Sequence, residues 1–154
     1  IIIILIIFCI IFIPNIANRI RYGIDKITGN VNMYAEIEGI GITKIQNDYP
    51  SVDQIFLEGG SIKISKKQIK GAEEVFVYGT IVNSFEKPKL IINGIENLYS
   101  ARMSNQQIIS AFRSPTYIMR GFAFNLDLDK LKSKNTLIIR CNEKEEKYFL
   151  YKSD

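Results

Sequence analysis

The chain has 154 residues, 47% of them hydrophobic, which suits one domain with a single core. It contains no His and only two Cys, Cys9 and Cys141, which excludes Ser-His-Asp and Cys-His nucleophilic machinery, imidazole-based zinc sites and a disulfide framework. The net charge of +4 and pI near 9.0 come from Lys residues scattered among Glu and Asp; that is the pattern of a solvated surface, so no nucleic-acid partner is expected.

Residues 1–13, IIIILIIFCIIFI, hold no charge and no polar side chain apart from Cys9, and the first charge is Arg19. A bilayer-spanning helix needs about 20 apolar residues. Here 13 precede Pro14, or 18 uncharged ones if Asn15 and Asn18 sit at the headgroups. The chain begins at Ile1 and not at Met, so the apolar run is expected to extend upstream. A signal-peptide core would want a small-x-small cleavage site, which Asn15-Ile16-Ala17 matches poorly, and buried strands run only about 4 to 8 residues. Residues 1–18 therefore predict the end of a transmembrane helix, the membrane being its partner. Arg19, Arg21 and Lys26 follow, and taken alone they favour a cytoplasmic location for what comes next. Residues 19–33 read as a polar juxtamembrane connector.

From Tyr34 to the end, residues 34–154, short apolar stretches alternate with turn residues, an all-β pattern. The predicted strands cover 34–45, 61–65, 74–82, 89–94, 98–103, 117–128, 136–142 and 147–152, with turns at Gly59-Gly60, Asn93-Gly94 and the run Asn142 to Glu146. About eight strands predict an antiparallel β-sandwich. One short helix interrupts it, over SNQQIISAFRSP. Ser104 and Gln107 form a capping box there, Ile108, Ile109 and Phe112 share a face, and Pro115 ends the run.

The segment GFAFNLDLDKL spaces Asn125, Asp127 and Asp129 as a calcium loop would, but position 6 of such a loop is Lys130 in place of Gly and position 12 is Thr136 in place of Glu. The alternation of Phe122, Phe124, Leu126 and Leu128 with polar residues predicts a strand with its carboxylates outward, and no metal or other cofactor is expected. Carboxylate chemistry has nominal candidates in Asp53, Glu58, Glu73, Glu74, Asp127 and Asp129, with no spacing that singles out an acid and base pair. Tyrosines offer another possibility. Tyr78, Tyr99 and Tyr117, with Tyr148 and Tyr151, could form stacking platforms for sugar rings, or fill half-buried strand positions with the hydroxyl at the rim.

The order VYGTIVN (77–83), KLIINGI (89–95), Ala101-Arg102 and MRGFAFNLDLDKLKSKNTLIIRC (119–141) resembles a β-sandwich accessory domain found at the soluble ends of bacterial membrane proteins of envelope glycan assembly and of some glycosyltransferases. Gly79, Asn93-Gly94, Arg102, Gly121-Phe122 and Leu131 carry the match, which spans residues 74–142; Thr80 stands where that family has Trp. The resemblance implies an extracytoplasmic, non-catalytic module that orients a glycan or a protein partner, with Tyr78, Tyr99 and Tyr117 as its candidate ligand-binding residues. A membrane-tethered assembly module without sugar binding and a small carboxylate hydrolase are the alternatives. Each makes its own demand: clustered exposed tyrosines for glycan binding, an exposed apolar patch or open sheet edge for assembly, and paired carboxylates in a cleft for hydrolysis.

Overall fold

The structure is a computed structural model that describes residues 33–82, 84, 86–97, 102–104 and 119–154, together with residues 3, 20, 23, 24 and 27–29; residues 102–104, 119 and 120 are described by backbone alone. The protein is mostly β, in two five-stranded sheets. The first has the order β2-β1-β4-β8-β7, from β1 (Tyr34–Gln46), β2 (Tyr49–Phe56), β4 (Glu74–Val82), β7 (Arg102–Ser104) and β8 (Met119–Asn125). The second has the order β3-β10-β9-β5-β6, from β3 (Ser61–Ser65), β5 (Lys89–Ile92), β6 (Ile95–Glu96), β9 (Lys134–Cys141) and β10 (Lys144–Ser153).

Side-chain alternation sends one face of each sheet into a common core. Ile37, Ile40, Ile42, Val75, Val77, Ile81, Phe122 and Phe124 come from the first sheet, and Ile62, Ile64, Leu90, Leu137, Ile139, Cys141, Tyr148 and Leu150 from the second. Burying each of the larger ones contributes roughly 1.5–3 kcal/mol. Within this core Gly79 lies between Ile37 and Phe122 in the register, and a Cβ there would meet the Phe122 ring at 2.7 Å and collide with the Glu36 carbonyl. The position needs glycine for close approach.

Two features correct the expectation of a wholly antiparallel sandwich of about eight strands. First, β10 runs parallel to β3, from Phe149↔Ser61 to Ser153↔Ser65, so the second sheet is mixed. Second, β2 and β6 are additional strands. β2 joins β1 through Asn47 and Asp48, both at positive φ (49° and 65°), a two-residue turn of the kind that suits strand twist. Asn93 (52°) and Gly94 (83°) make the same turn between β5 and β6. The Asn142 turn is tighter than predicted, because Cys141 already faces Lys144 and Glu145 and Glu146 belong to β10.

Among the described residues from 33 onward there is one short α-helix, α1 (Lys66–Ile69), whose Ser65 and Gln68 form a capping box. The helix predicted after Ser104 lies outside the described residues, as do positions 98–101, while Ser104 itself ends β7. The anchor predicted over residues 1–18 also lies outside them apart from Ile3. In the predicted connector, residues 20, 23, 24, 27 and 28 have helical backbone. No helix among the described residues is long and apolar enough to cross a membrane.

Candidate functional site

The carboxylate-bearing segment after Phe124 is not a continuous strand. β8 ends at Asn125, and Leu126 makes one further bond to β4, its N–H donating to the Val75 carbonyl at 2.7 Å. Leu128–Lys130 then form a single 3-10 turn, so the predicted strand to 128 is too long by three residues. Asp127 caps this turn. Its Oδ1 accepts from the Asp129 N–H at 3.2 Å and its Oδ2 pairs with Lys130 at 2.9 Å, and the Lys130 hydrogen bond holds its carboxyl below the usual aspartate value. Both oxygens are thus engaged locally. Among the described residues no group of three metal-ligating side chains comes together.

Tyr78 is 4% exposed, so its ring presents no face to solvent. It stands on the outer face of the first sheet, opposite Val75, Val77 and Ile81, with its ring centroid 6.3 Å from that of Phe76. Its hydroxyl lies over Gly39, the residue paired with it on β1, and is a buried polar atom without a hydrogen-bond partner. Burial, and next the charge of Glu38, push its pKa up. Tyr99 and Tyr117 lie outside the described residues. Tyr148 is 8% exposed and spans the core; its hydroxyl accepts from the Ile37 N–H at 3.3 Å, where β1 has passed beyond the reach of β2. Tyr78 and Tyr148 are both buried, the first on the outer face of its sheet and the second in the core.

Two glutamates that the sequence reading did not single out, Glu36 and Glu38, meet at Thr80. β1 has an irregularity between Ile37 and Gly39 that leaves Glu38 unpaired in the register and aims it at Thr80, whose Oγ1 donates to Glu38 Oε1. Glu36, paired with Thr80 in the register, has its pKa raised by desolvation first and then by Glu38 and Glu146. In the sequence the two acids stand two residues apart, as on any strand face, with nothing to mark the irregularity. The nominal acids lie elsewhere. Asp53 pairs with Lys44 at 3.2 Å, Glu58 bridges Ser61, and Glu74 accepts from the Asn125 amide at 3.4 Å.

Ile95 (75% exposed) stands alone on β6, whereas several exposed apolar side chains gather at the β2 edge of the first sheet. Ile45 (59% exposed), Val52 (53%) and Phe56 (63%) share the outer face of the first sheet with the half-buried Phe76. Gly41 lies flat beneath the Phe76 ring, which leaves the surface low and unobstructed. Among the described residues no strand pairs with the far edge of β2. In a hairpin closed by Gln46 and Tyr49 across two residues, the odd-numbered residues of β2 bond to β1, and the Leu57 N–H to Glu38 carbonyl bond of 2.8 Å keeps that parity. Val52, Gln54 and Phe56 then turn their N–H and C=O groups away from the sheet, as Pro50 turns its carbonyl. Beneath β2 is a groove of about 450 Å³ lined by Ile42, Ile55, Lys44, Asp53 and Gln68. Val52 and Gln54 also line it, and within it Lys44 pairs with Asp53 and Gln68 Oε1 accepts from the Ser65 N–H at 2.8 Å.

No protein family, characterised protein or solved structure matches the chain.

Proposed function

We propose that the chain is a non-catalytic accessory module of a membrane-anchored bacterial cell-envelope protein, and that its work is assembly. In this reading an apolar helix over residues 1–18 ends in the bilayer and the β-sandwich stands outside the cytoplasm. The 13 apolar residues at the start support it, and so does the spacing of Ile20, Ile24 and Ile27, which lie on one helical face and are 59%, 55% and 89% exposed. The observation that carries the assembly role is the β2 edge: an open row of backbone donors and acceptors beside Ile45, Val52 and Phe56.

The occupant is β2 of a second copy, paired antiparallel about a two-fold axis. Edge strands of monomers are commonly guarded by Lys, Pro or an inward charge; β2 carries no basic residue, its Pro50 stands next to the turn, and its inward Asp53 is neutralised by Lys44. Its one acid, Asp53, points to the groove side and is paired with Lys44, so two copies would meet without like-charge contact. The apolar outer faces then become continuous across the joint. Sedimentation velocity of the full chain in a density-matched neutral detergent tests this. The expected result is a dimer that a Val52→Lys, Phe56→Lys double variant converts to monomer with an unchanged thermal melt. A wild-type monomer, or a dimer indifferent to those substitutions, would contradict it.

A further inference from the structure

The outer face of the second sheet has a different character. Lys147, Phe149 and Tyr151 alternate along β10 with Tyr148 and Leu150, which fill the core, so the first three share the outer face. The register sets Ile138, Thr136 and Lys134 beside them on β9, and Ser61 and Lys63 beside Phe149 and Tyr151 on β3. The Phe149 and Tyr151 rings are 6.4 Å apart between centroids. Lys134 Nζ lies 5.0 Å from one centroid and 5.8 Å from the other, and Lys147 Nζ is 5.5 Å from that of Phe149.

Charge on this face is unevenly balanced. Arg140 pairs with Glu145, and Lys89 pairs with Glu96 at 3.3 Å. Lys63, Lys134 and Lys147, by contrast, have no carboxylate within ion-pair distance among the described residues. Three uncompensated ammonium groups therefore border a two-ring strip that runs along β10 for about 14 Å, at roughly 3.4 Å per strand residue.

We propose that this strip binds a linear acidic polysaccharide. Lys63, Lys134 and Lys147 take its carboxylate or phosphate groups, the edges of Phe149 and Tyr151 left beside the ammonium groups pack against C–H groups of its sugars, and Ser61 and Thr136 offer hydroxyls between them. Charge complementarity selects the anion, and the straight line of the strip selects an extended polymer. A bilayer would need side chains that project, whereas these rings lie half-buried under ammonium groups. Single-stranded nucleic acid would need open ring faces for its bases, and the ammonium groups already stand over those faces. An acidic sugar presents its charge and its apolar edge together, so it can pair with the ammonium and still touch the ring beside it. The strip lies on the sheet that does not contain β2, so this proposal and the assembly reading stand or fall separately.

The test is affinity electrophoresis of the full chain in neutral detergent through gels containing polygalacturonate, with dextran as the neutral comparison, oligo-dT and phosphatidylserine vesicles being assayed in parallel by co-sedimentation. Retardation by polygalacturonate alone is expected, weakening as salt rises. The Lys63→Gln, Lys134→Gln, Lys147→Gln variant should lose affinity by roughly tenfold or more, while Lys89→Gln keeps it. A Tyr151→Ala variant separates ring packing from charge and should weaken retardation at constant net charge. The proposal is overturned by no retardation, by equal retardation in dextran, by equal or stronger binding to oligo-dT or vesicles, or by a triple variant that binds as the wild type does. A thermal melt of each variant shows that the fold is intact before its affinity is read.

Discussion

Tyr78 carries a phenol oxygen that is out of water, over Gly39, and makes no hydrogen bond. An unpaired buried hydroxyl is a cost to the folded state, so Tyr78→Phe should leave stability unchanged or raise it by about 1 kcal/mol in chemical denaturation. A loss of that size would mean that the hydroxyl has a partner. Glu36 makes a pH-dependent contribution of definite sign. Its folded pKa is raised, so ionising it disfavours the fold: stability falls as pH rises from the ordinary glutamate value of 4.5 through the raised one. Glu36→Gln should therefore melt higher than the wild type at neutral pH, and the gain should vanish below pH 4.5. A gain that persists in acid would place its origin elsewhere. At this scale the sequence is informative about the interior and poor about polar roles. The two-residue alternation of Phe122, Phe124 and Leu126 is enough to bury them at 0%, 2% and 7%. Nothing in the spacing of Asp127 and Asp129 tells a strand face from a capped turn, because both place acids two residues apart. The Glu36, Glu38 and Thr80 grouping depends on one bulge, which moves a side chain without leaving a distinctive residue pattern.

Among the elements, β2 was the one hardest to read. Tyr49-Pro50-Ser51-Val52-Asp53-Gln54 mixes proline and polar residues, as an exposed edge strand does, and lacks the apolar alternation by which β1 and β4 are legible. Its turn also carries Asp48 where glycine is the easier residue at a φ of 65°. Asp48→Gly should thus tighten the β1–β2 hairpin and raise stability by roughly 0.5–1 kcal/mol, measured by urea denaturation. A destabilised variant would show that the Asp48 side chain has a role beyond the turn. Helix α1 was legible in principle, since Ser65-Lys66-Lys67-Gln68 is a capping box like the one predicted at Ser104. It is only four residues long, too short to show an apolar period. The parallel pairing of β3 with β10 was not legible, because it joins segments far apart in sequence and strand direction leaves no local mark.

Over the whole molecule, a shared core holds together two sheets whose outer faces differ. One face is apolar beside an open edge, with Ile45, Val52, Phe56 and Phe76; the other is aromatic and cationic, with Phe149, Tyr151 and lysines on either side. A module with two unlike faces is suited to joining partners. The account rests most on the β2 edge. Hydrogen exchange of the full chain, followed at single amides as protein concentration rises, tests it most directly. The account predicts that the Val52, Gln54 and Phe56 amides become protected with concentration while Ser51, Asp53 and Ile55 are protected throughout. Fast exchange at Val52, Gln54 and Phe56 at every concentration would contradict it.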